Sequence, residues 1–246
     1  MHRFFTEPEN IIGDIAYIVD DASHITRTLR MKIGDKITVF DGTGKEYICR
    51  LSQIEKNKCT AKIDSESFSA SEPDIKVTVF QGIPKSGKME SIIQKSVELG
   101  VFEIVPVDME RCVVRLDNGK KQSERIKRWN KVALEAAKQC GRGIVPKITE
   151  PCSFSKAVEL ANHLDLAVMP YEVLGHKDDR SLKNILKAEF DTIGIIIGPE
   201  GGFSDAEAEY ANENNIKLTG LGKRILRTET VSSAVISIIM YEKNQI

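Results

Sequence analysis

The chain has 246 residues, 41% hydrophobic and 29% charged, the make-up of an ordinary globular protein with apolar content for one large domain or two modest ones. A net charge of -1 at pH 7 argues against a protein that coats nucleic acid indiscriminately. No apolar run reaches the roughly 20 residues of a membrane span, and the opening "MHRFFTEPEN" has no apolar leader core, so a cytoplasmic location with no membrane partner is expected.

The five cysteines lie far apart without a CxxC pair, and the four histidines show no HxxxH or HExxH spacing. Neither a disulfide framework nor a metal site is expected.

In chain order, residues 1 to about 70 carry short β-type runs, "IAYIV", "KITVFDG", "EYICRL" and "CTAKI", separated by turn signals. "SHITRTLR" reads as a short helix between the first two. This is a small barrel or sheet domain. The serine-rich "SFSASEPD" at 67–74 is the expected linker.

From 75 to 246 strands alternate with helices. "KVTVFQG" and "FEIVPV" read as strands around the helix "KMESIIQKSVELG", which Gly100 closes. "SERIKRWNKVALEAAKQCG" is a longer helix with Ile126, Trp129, Ala133, Ala136 and Cys140 on one stripe, ending at Gly141. "SFSKAVELAN" is a further helix and "LDLAVMPYE" a strand. "IGIIIG" is too continuously apolar for a wet face, and such strands belong in a parallel sheet covered by helices. The second domain is therefore α/β.

Charge is distributed unevenly. Residues 75–147 hold 15 Lys+Arg against 8 Asp+Glu, whereas 148–246 hold 10 against 15. A basic middle segment suits a phosphate backbone gripped at one face. It equally suits a solvated helix face, because Lys120, Lys121, Arg125, Lys127, Arg128 and Lys131 crowd one helical region.

Three motifs bear on chemistry. "GIPKSGKM" fits GxxxxGK after a strand, but Met89 stands where a nucleotide-binding loop needs Ser or Thr for magnesium. "GPEGGFSDAE" places glycines between a strand and a helix whose start is marked by the capping pair Ser204 and Glu207. Glycines there let a backbone approach a ligand, and Glu200 favours one that offers donors or positive charge over a pyrophosphate. A turn serving geometry alone is the other reading. "LTGLGKRILRTET" is a second glycine loop, leading into a helix with Val231, Ala234, Val235, Ile238 and Ile239 on one stripe, a stripe that suits core or a subunit interface.

"IIIGPEGGFSDAE", "LGKRILRTET", "IIQKSVELGV", "EAAKQCGRGIVP" and "HRFF" together resemble the 16S ribosomal RNA (uracil-N3)-methyltransferase family of the SPOUT superfamily, over essentially the whole chain. One departure is Val231, where the family usually has Ala after Glu-Thr; an effect on packing is expected. The resemblance implies a PUA-like RNA-binding β-barrel over 1–70, and over 75–246 a methyltransferase domain tied in a trefoil knot. It implies a homodimer that binds S-adenosylmethionine and acts on 16S rRNA of the small ribosomal subunit.

Carried over by motif, Gly198, Pro199, Glu200, Gly201 and Gly202 form one wall of the cofactor pocket. Leu221, Gly222, Ile225, Leu226 and Arg227 form the other, with Met169 and Glu172 at a strand end. Arg227 and Glu229 are the candidates for handling the N3 proton, by accepting it or stabilising the uracil anion; Arg227 in a plain ion pair is the alternative. Arg3, Lys85, Lys88, Arg111, Arg115, Arg125 and Arg142 are candidates for RNA phosphate. A nucleotide hydrolase and a catalytically silent RNA-binding protein are the competing classes.

Overall fold

A computed structural model describes residues 1–85, 87–114, 119–172 and 181–246. The chain divides into two compact units, Met1–Glu72 with Ala137–Val145, and Pro73–Ala136 with Pro146–Ile246. The segment 137–145 thus leaves the second unit at the end of a long helix and packs with the first.

The first unit holds β1 (Arg3–Phe5), β2 (Ile11–Ile12), β3 (Ile15–Ile18), β4 (Lys36–Phe40), β5 (Lys45–Ile54) and β6 (Cys59–Phe68). Their order is β1-β4-β5-β6-β3-β2, antiparallel except for β1 beside β4. Alternation along β3 and β5 sends Ala16, Ile18, Tyr47, Cys49 and Leu51 inward. One apolar cluster gathers Phe4 from one edge of the sheet with Ala16 and Ile18 from near the other, and Thr6 Oγ1 donates to the carbonyl of Tyr17. The sheet therefore curls around its core. The "SHITRTLR" segment is not an ordinary helix: His24–Thr28 forms a wide π-type turn, closed by the Leu29 N–H donating to the His24 carbonyl at 3.0 Å.

In the second unit, β7 (Lys76–Gly82), β8 (Glu103–Asp108), β9 (Lys147–Ile148), β10 (Cys152–Ser153), β11 (Leu166–Pro170), β12 (Thr192–Ile197) and β13 (Lys217–Thr219) form one parallel sheet. The order is β10-β8-β7-β12-β11-β13, with β9 also beside β8. β12 has its last five residues buried, as its apolar sequence requires. The helices are α1 (Lys88–Glu98), α2 (Lys120–Cys140), α3 (Phe154–Ala161), α4 (Leu182–Ile185), α5 (Asp205–Glu213) and α6 (Thr228–Glu242). Gly100 sits at φ +92° after α1, the left-handed conformation that ends a helix. No helix among the described residues is long and apolar enough to cross a membrane.

Candidate functional site

Because the sheet is parallel, the segments that follow β7, β11, β12 and β13 leave from the same end of it. Ligands of such sheets sit outside that end, where the strand order reverses. Here the chain runs from β7 outward to β8 and later fills β12 and β11 on the other side, so the reversal falls between β7 and β12. The glycine loops lie at this point.

Gln81 of β7 is the register partner of Ile197 of β12, so Gly82 and Gly198 leave the sheet side by side. A Cβ on Gly82 would stand 2.7 Å from the backbone nitrogen of Pro199, which only a glycine avoids. Beyond, the Gly202 N–H donates to the Pro199 carbonyl at 2.9 Å and closes a tight turn with Gly202 at φ +68°. Arg111 Nη1 donates to the Gly201 carbonyl at 3.0 Å and holds the turn from outside.

The loop then enters α5 through the capping pair. Ser204 Oγ accepts from the Glu207 N–H at 3.2 Å, and Glu207 Oε2 accepts from the Ser204 N–H at 3.0 Å. Glu207 Oε1 also accepts from the Glu110 N–H at 2.9 Å, tying the cap to the segment after β8.

The second loop is fastened to the first by buried groups. Thr228 Oγ1 donates to the Gly198 carbonyl at 2.7 Å and accepts from Gln81 Nε2 at 2.9 Å. Gln81 is wholly buried and Thr228 nearly so. Arg227 is the residue before α6, and its carbonyl accepts from the Thr230 and Val231 N–H groups in the first turn.

Between the loops lies an open cleft of about 490 Å³, lined by Gly198 to Phe203 on one side and by Ile225 to Thr228 with Val231 on the other. Pro170, Glu172 and Lys88 complete it. A smaller recess of about 120 Å³ adjoins it, bounded by Tyr171, Leu221, Gly222 and Arg224, and shares Glu172, Leu226 and Val231.

Charge in the cleft is organised around Lys88. Its ammonium stands 3.1 Å from Glu200 Oε1 and 3.5 Å from Glu229 Oε2. Glu200 accepts the Lys85 N–H as well, at 3.1 Å. Hydrogen bonding to Glu200 raises the Lys88 ammonium above the ordinary lysine value, against the opposing effect of desolvation. Burial pushes the Glu200 carboxyl up, but its own N–H, Lys88 and Lys85 outweigh that and hold it below the ordinary glutamate value. Glu229 Oε2 is buried and accepts no hydrogen bond among the described residues.

The structure brings Gly198, Pro199, Glu200, Gly201, Gly202, Ile225, Leu226, Arg227 and Glu172 around one cleft, and Leu221 and Gly222 around its annex. Met169 is wholly buried, its side chain part of the core beneath the cleft. Lys88 stands in the cleft wall, paired with carboxylates.

Of the RNA candidates, Lys88 is already paired with Glu200 and Glu229, and two more need correction. The Arg142 side chain is 4% exposed and pairs with Glu72 at 2.7 Å, and Arg3 donates to Glu46 at 2.8 Å and to the Arg142 carbonyl at 2.7 Å. Both are structural ions of the first unit, consumed by local partners. Lys85 and Arg111 are exposed and Arg125 half-buried, while Arg115 lies outside the described residues.

Gln81 and Thr228 are not among the residues the sequence points to, and Val231, expected to affect packing, lines both parts of the cleft. The signal for Thr228 was its place at the start of α6; that for Lys88 was the glycine-rich GxxxxGK stretch.

A parallel sheet that presents two glycine loops at its switch point matches the model of an RNA methyltransferase domain over residues 71–240, and residues 19–64 match the PUA domain of RNA methyltransferases. The ribosomal RNA small subunit methyltransferase E of Bacillus subtilis is 34% identical over 226 residues, 91% of this chain and 88% of its own. The crystal structure of the enzyme of that name from Neisseria gonorrhoeae, bound to S-adenosylmethionine, superposes with a TM-score of 0.86 at 30% identity, covering 98% of this chain and 97% of its own. A Legionella pneumophila methyltransferase in complex with the same cofactor gives 0.86 at 29% identity, covering 97% and 96%. The chain belongs to the ribosomal RNA small subunit methyltransferase E family.

Proposed function

We propose that the protein transfers a methyl group from S-adenosylmethionine to N3 of one uridine in 16S rRNA of the small ribosomal subunit. The observation that carries this is the cleft at the sheet's switch point, walled by two glycine loops and supplied with carboxylates.

The residues fit that cofactor. It brings a sulfonium, an amine and an adenine but no phosphate. A cleft edged by Glu172 and Glu200, with Glu229 paired to Lys88 of its wall, the Gly198–Gly202 backbone open on one side and apolar Ile225, Leu226 and Val231 on the other, suits a cation with an apolar ring. When bound, S-adenosylmethionine supplies an activated methyl on a good leaving group. The chain's task is then alignment and proton handling. Glu229 is our candidate to accept the N3 proton, and Arg227, exposed beside the cleft, to stabilise the uracil anion.

The Met1–70 region serves as a PUA-like RNA-binding domain, and the 75–246 region as a trefoil-knotted methyltransferase domain. Lys85, Arg111 and Arg125, with the basic residues of α2, supply phosphate contacts. The protein works in the cytoplasm as a homodimer. Ile225 is 86% exposed at the cleft, and Ile238 and Tyr241 of α6 also show apolar surface, as an interface beside the site requires.

The test is transfer of labelled methyl to small ribosomal subunits that lack the modification, with the product mapped by mass spectrometry. A single N3-methyluridine in 16S rRNA, abolished by Gly201→Trp or Arg227→Ala, supports the reading. Methylation of another base discards the substrate, and no transfer with no cofactor binding discards the function.

A further inference from the structure

We propose that Lys88 is a positioning residue that sets the charge of the methyl-transfer site and holds Glu229 to receive the N3 proton. The inference rests on the function proposed above. It starts from one ammonium shared by two carboxylates, Glu200 at 3.1 Å and Glu229 at 3.5 Å, on the wall of the cleft.

Lys88 opens α1, Glu200 follows β12 and Glu229 lies in the first turn of α6, so the contact is built by the fold. Glu200 has further donors, among them the Lys85 N–H. Glu229 does not: its Oε2 is buried, without a hydrogen bond among the described residues, and Lys88 is its ion-pair partner. Lys88 thus anchors the buried oxygen, and the Glu229 side chain, 21% exposed, leaves its other oxygen free to face the N3 proton.

Charge counting supports the assignment. One lysine and two glutamates carry a net charge of -1. A sulfonium ligand brings +1, so the loaded site is neutral. In the reaction N3 gains the methyl carbon and loses its proton to the exposed oxygen of Glu229, and the S–C bonding pair stays on sulfur. The positive charge lost at sulfur reappears as the proton on Glu229, and the site is neutral again. Without Lys88 the empty site is overcharged by one unit; without Glu229 it is undercharged by one.

Isothermal titration of the full-length protein with S-adenosylmethionine and with S-adenosylhomocysteine, which lacks the sulfonium charge, tests this. In Lys88→Met the preference for the charged ligand rises by at least about threefold at low salt and shrinks at high salt, as for one partly screened charge. In Glu229→Gln the preference falls instead. On small ribosomal subunits, kcat falls by about 100-fold in Glu229→Gln and about tenfold in Lys88→Met, and Lys88→Arg restores both ligand preference and rate.

If the folded Lys88→Met and Glu229→Gln proteins keep the wild-type preference, the inference is wrong. If Lys88→Met does not fold, the Glu229→Gln preference decides alone. A wild-type protein that binds no S-adenosylmethionine, or methylates an atom other than N3, removes the proposed function instead.

Discussion

Gln81 and Thr228 lie 147 positions apart in the chain and are joined by a buried hydrogen bond of 2.9 Å. Through Thr228 Oγ1, which donates to the Gly198 carbonyl at 2.7 Å, this bond fastens the start of α6 to the first glycine loop. The two walls of the cleft are therefore one mechanical unit, held by a buried amide and a hydroxyl.

Removing the hydroxyl should loosen both walls. Thr228→Val leaves Gln81 Nε2 and the Gly198 carbonyl without their partner, a loss of roughly 1–3 kcal/mol in unfolding free energy. Thr228→Ser keeps the oxygen and should lose far less. Urea denaturation measures the stability, and cofactor titration should show weaker binding in Val than in Ser. Equal affinity of the two variants would mean that the bond is structural only.

The Lys88–Glu200 pair carries a pH signature. Glu200 lies below its ordinary 4.5, with burial opposed by its own N–H, by Lys88 and by the Lys85 N–H, so its contribution is present above 4.5 and lost as pH falls through the depressed value. Lys88 lies above its ordinary 10.5 through its hydrogen bond to Glu200, so its contribution is present below 10.5 and lost as pH rises through the raised value. Thermal melts of wild type and Glu200→Gln should differ by a constant amount between these limits. The gap should close in acid and in strong base; a gap that widens in acid contradicts the pairing.

What the sequence disclosed, and what it hid, follows from the range of each interaction. "IGIIIG" announced a buried strand, and Ser204 with Glu207 announced a helix start, because periodicity and capping act within a few residues. The resemblance of the glycine loops placed most of the cleft's residues. In the sequence Lys88 and Arg142 both look like cations open to phosphate, since nothing near them in the chain names their partners. Glu200 is more than a hundred positions from Lys88, and Glu72 is 70 from Arg142. The strands Lys147–Ile148 and Cys152–Ser153 were equally invisible: two residues have no periodicity, and only the neighbouring β8 makes them strands.

Burial sets the reactivity of the thiols. It pushes Cys49 up to about 12, helped by the charge of Asp64, and Cys152 up to about 11 despite Lys156. At pH 8 the thiolate fractions are on the order of 1 in 10,000 and 1 in 1,000. Iodoacetamide should therefore label both slowly in the native protein and readily in guanidinium chloride, as peptide mass spectrometry would show. Cys49, which is wholly buried, should react only through opening of the β-sheet unit, so its rate should rise with urea well before Cys152 changes. Fast native labelling of Cys49 would contradict its place in the core.

The Arg142–Glu72 pair separates a structural ion from an RNA contact. Arg142 Nη2 donates to Glu72 Oε2 at 2.7 Å, and Glu72 Oε1 accepts the N–H groups of Gly143 and Ile144 at 2.8 and 2.9 Å. The carboxylate thus organises the whole turn after α2, and at 14% exposure it has little access to water. Arg142→Ala leaves that buried charge uncompensated and should cost about 3–5 kcal/mol. Glu72→Gln should also destabilise, because Arg142, 4% exposed, loses its counter-ion although the amide oxygen can still accept from the backbone. Denaturation curves measure both, and filter binding to 16S rRNA fragments at several salt concentrations supplies the contrast. A phosphate-binding arginine would lower the salt slope by about one on substitution. Arg142→Ala should leave the slope of the folded protein unchanged while its denaturation midpoint falls.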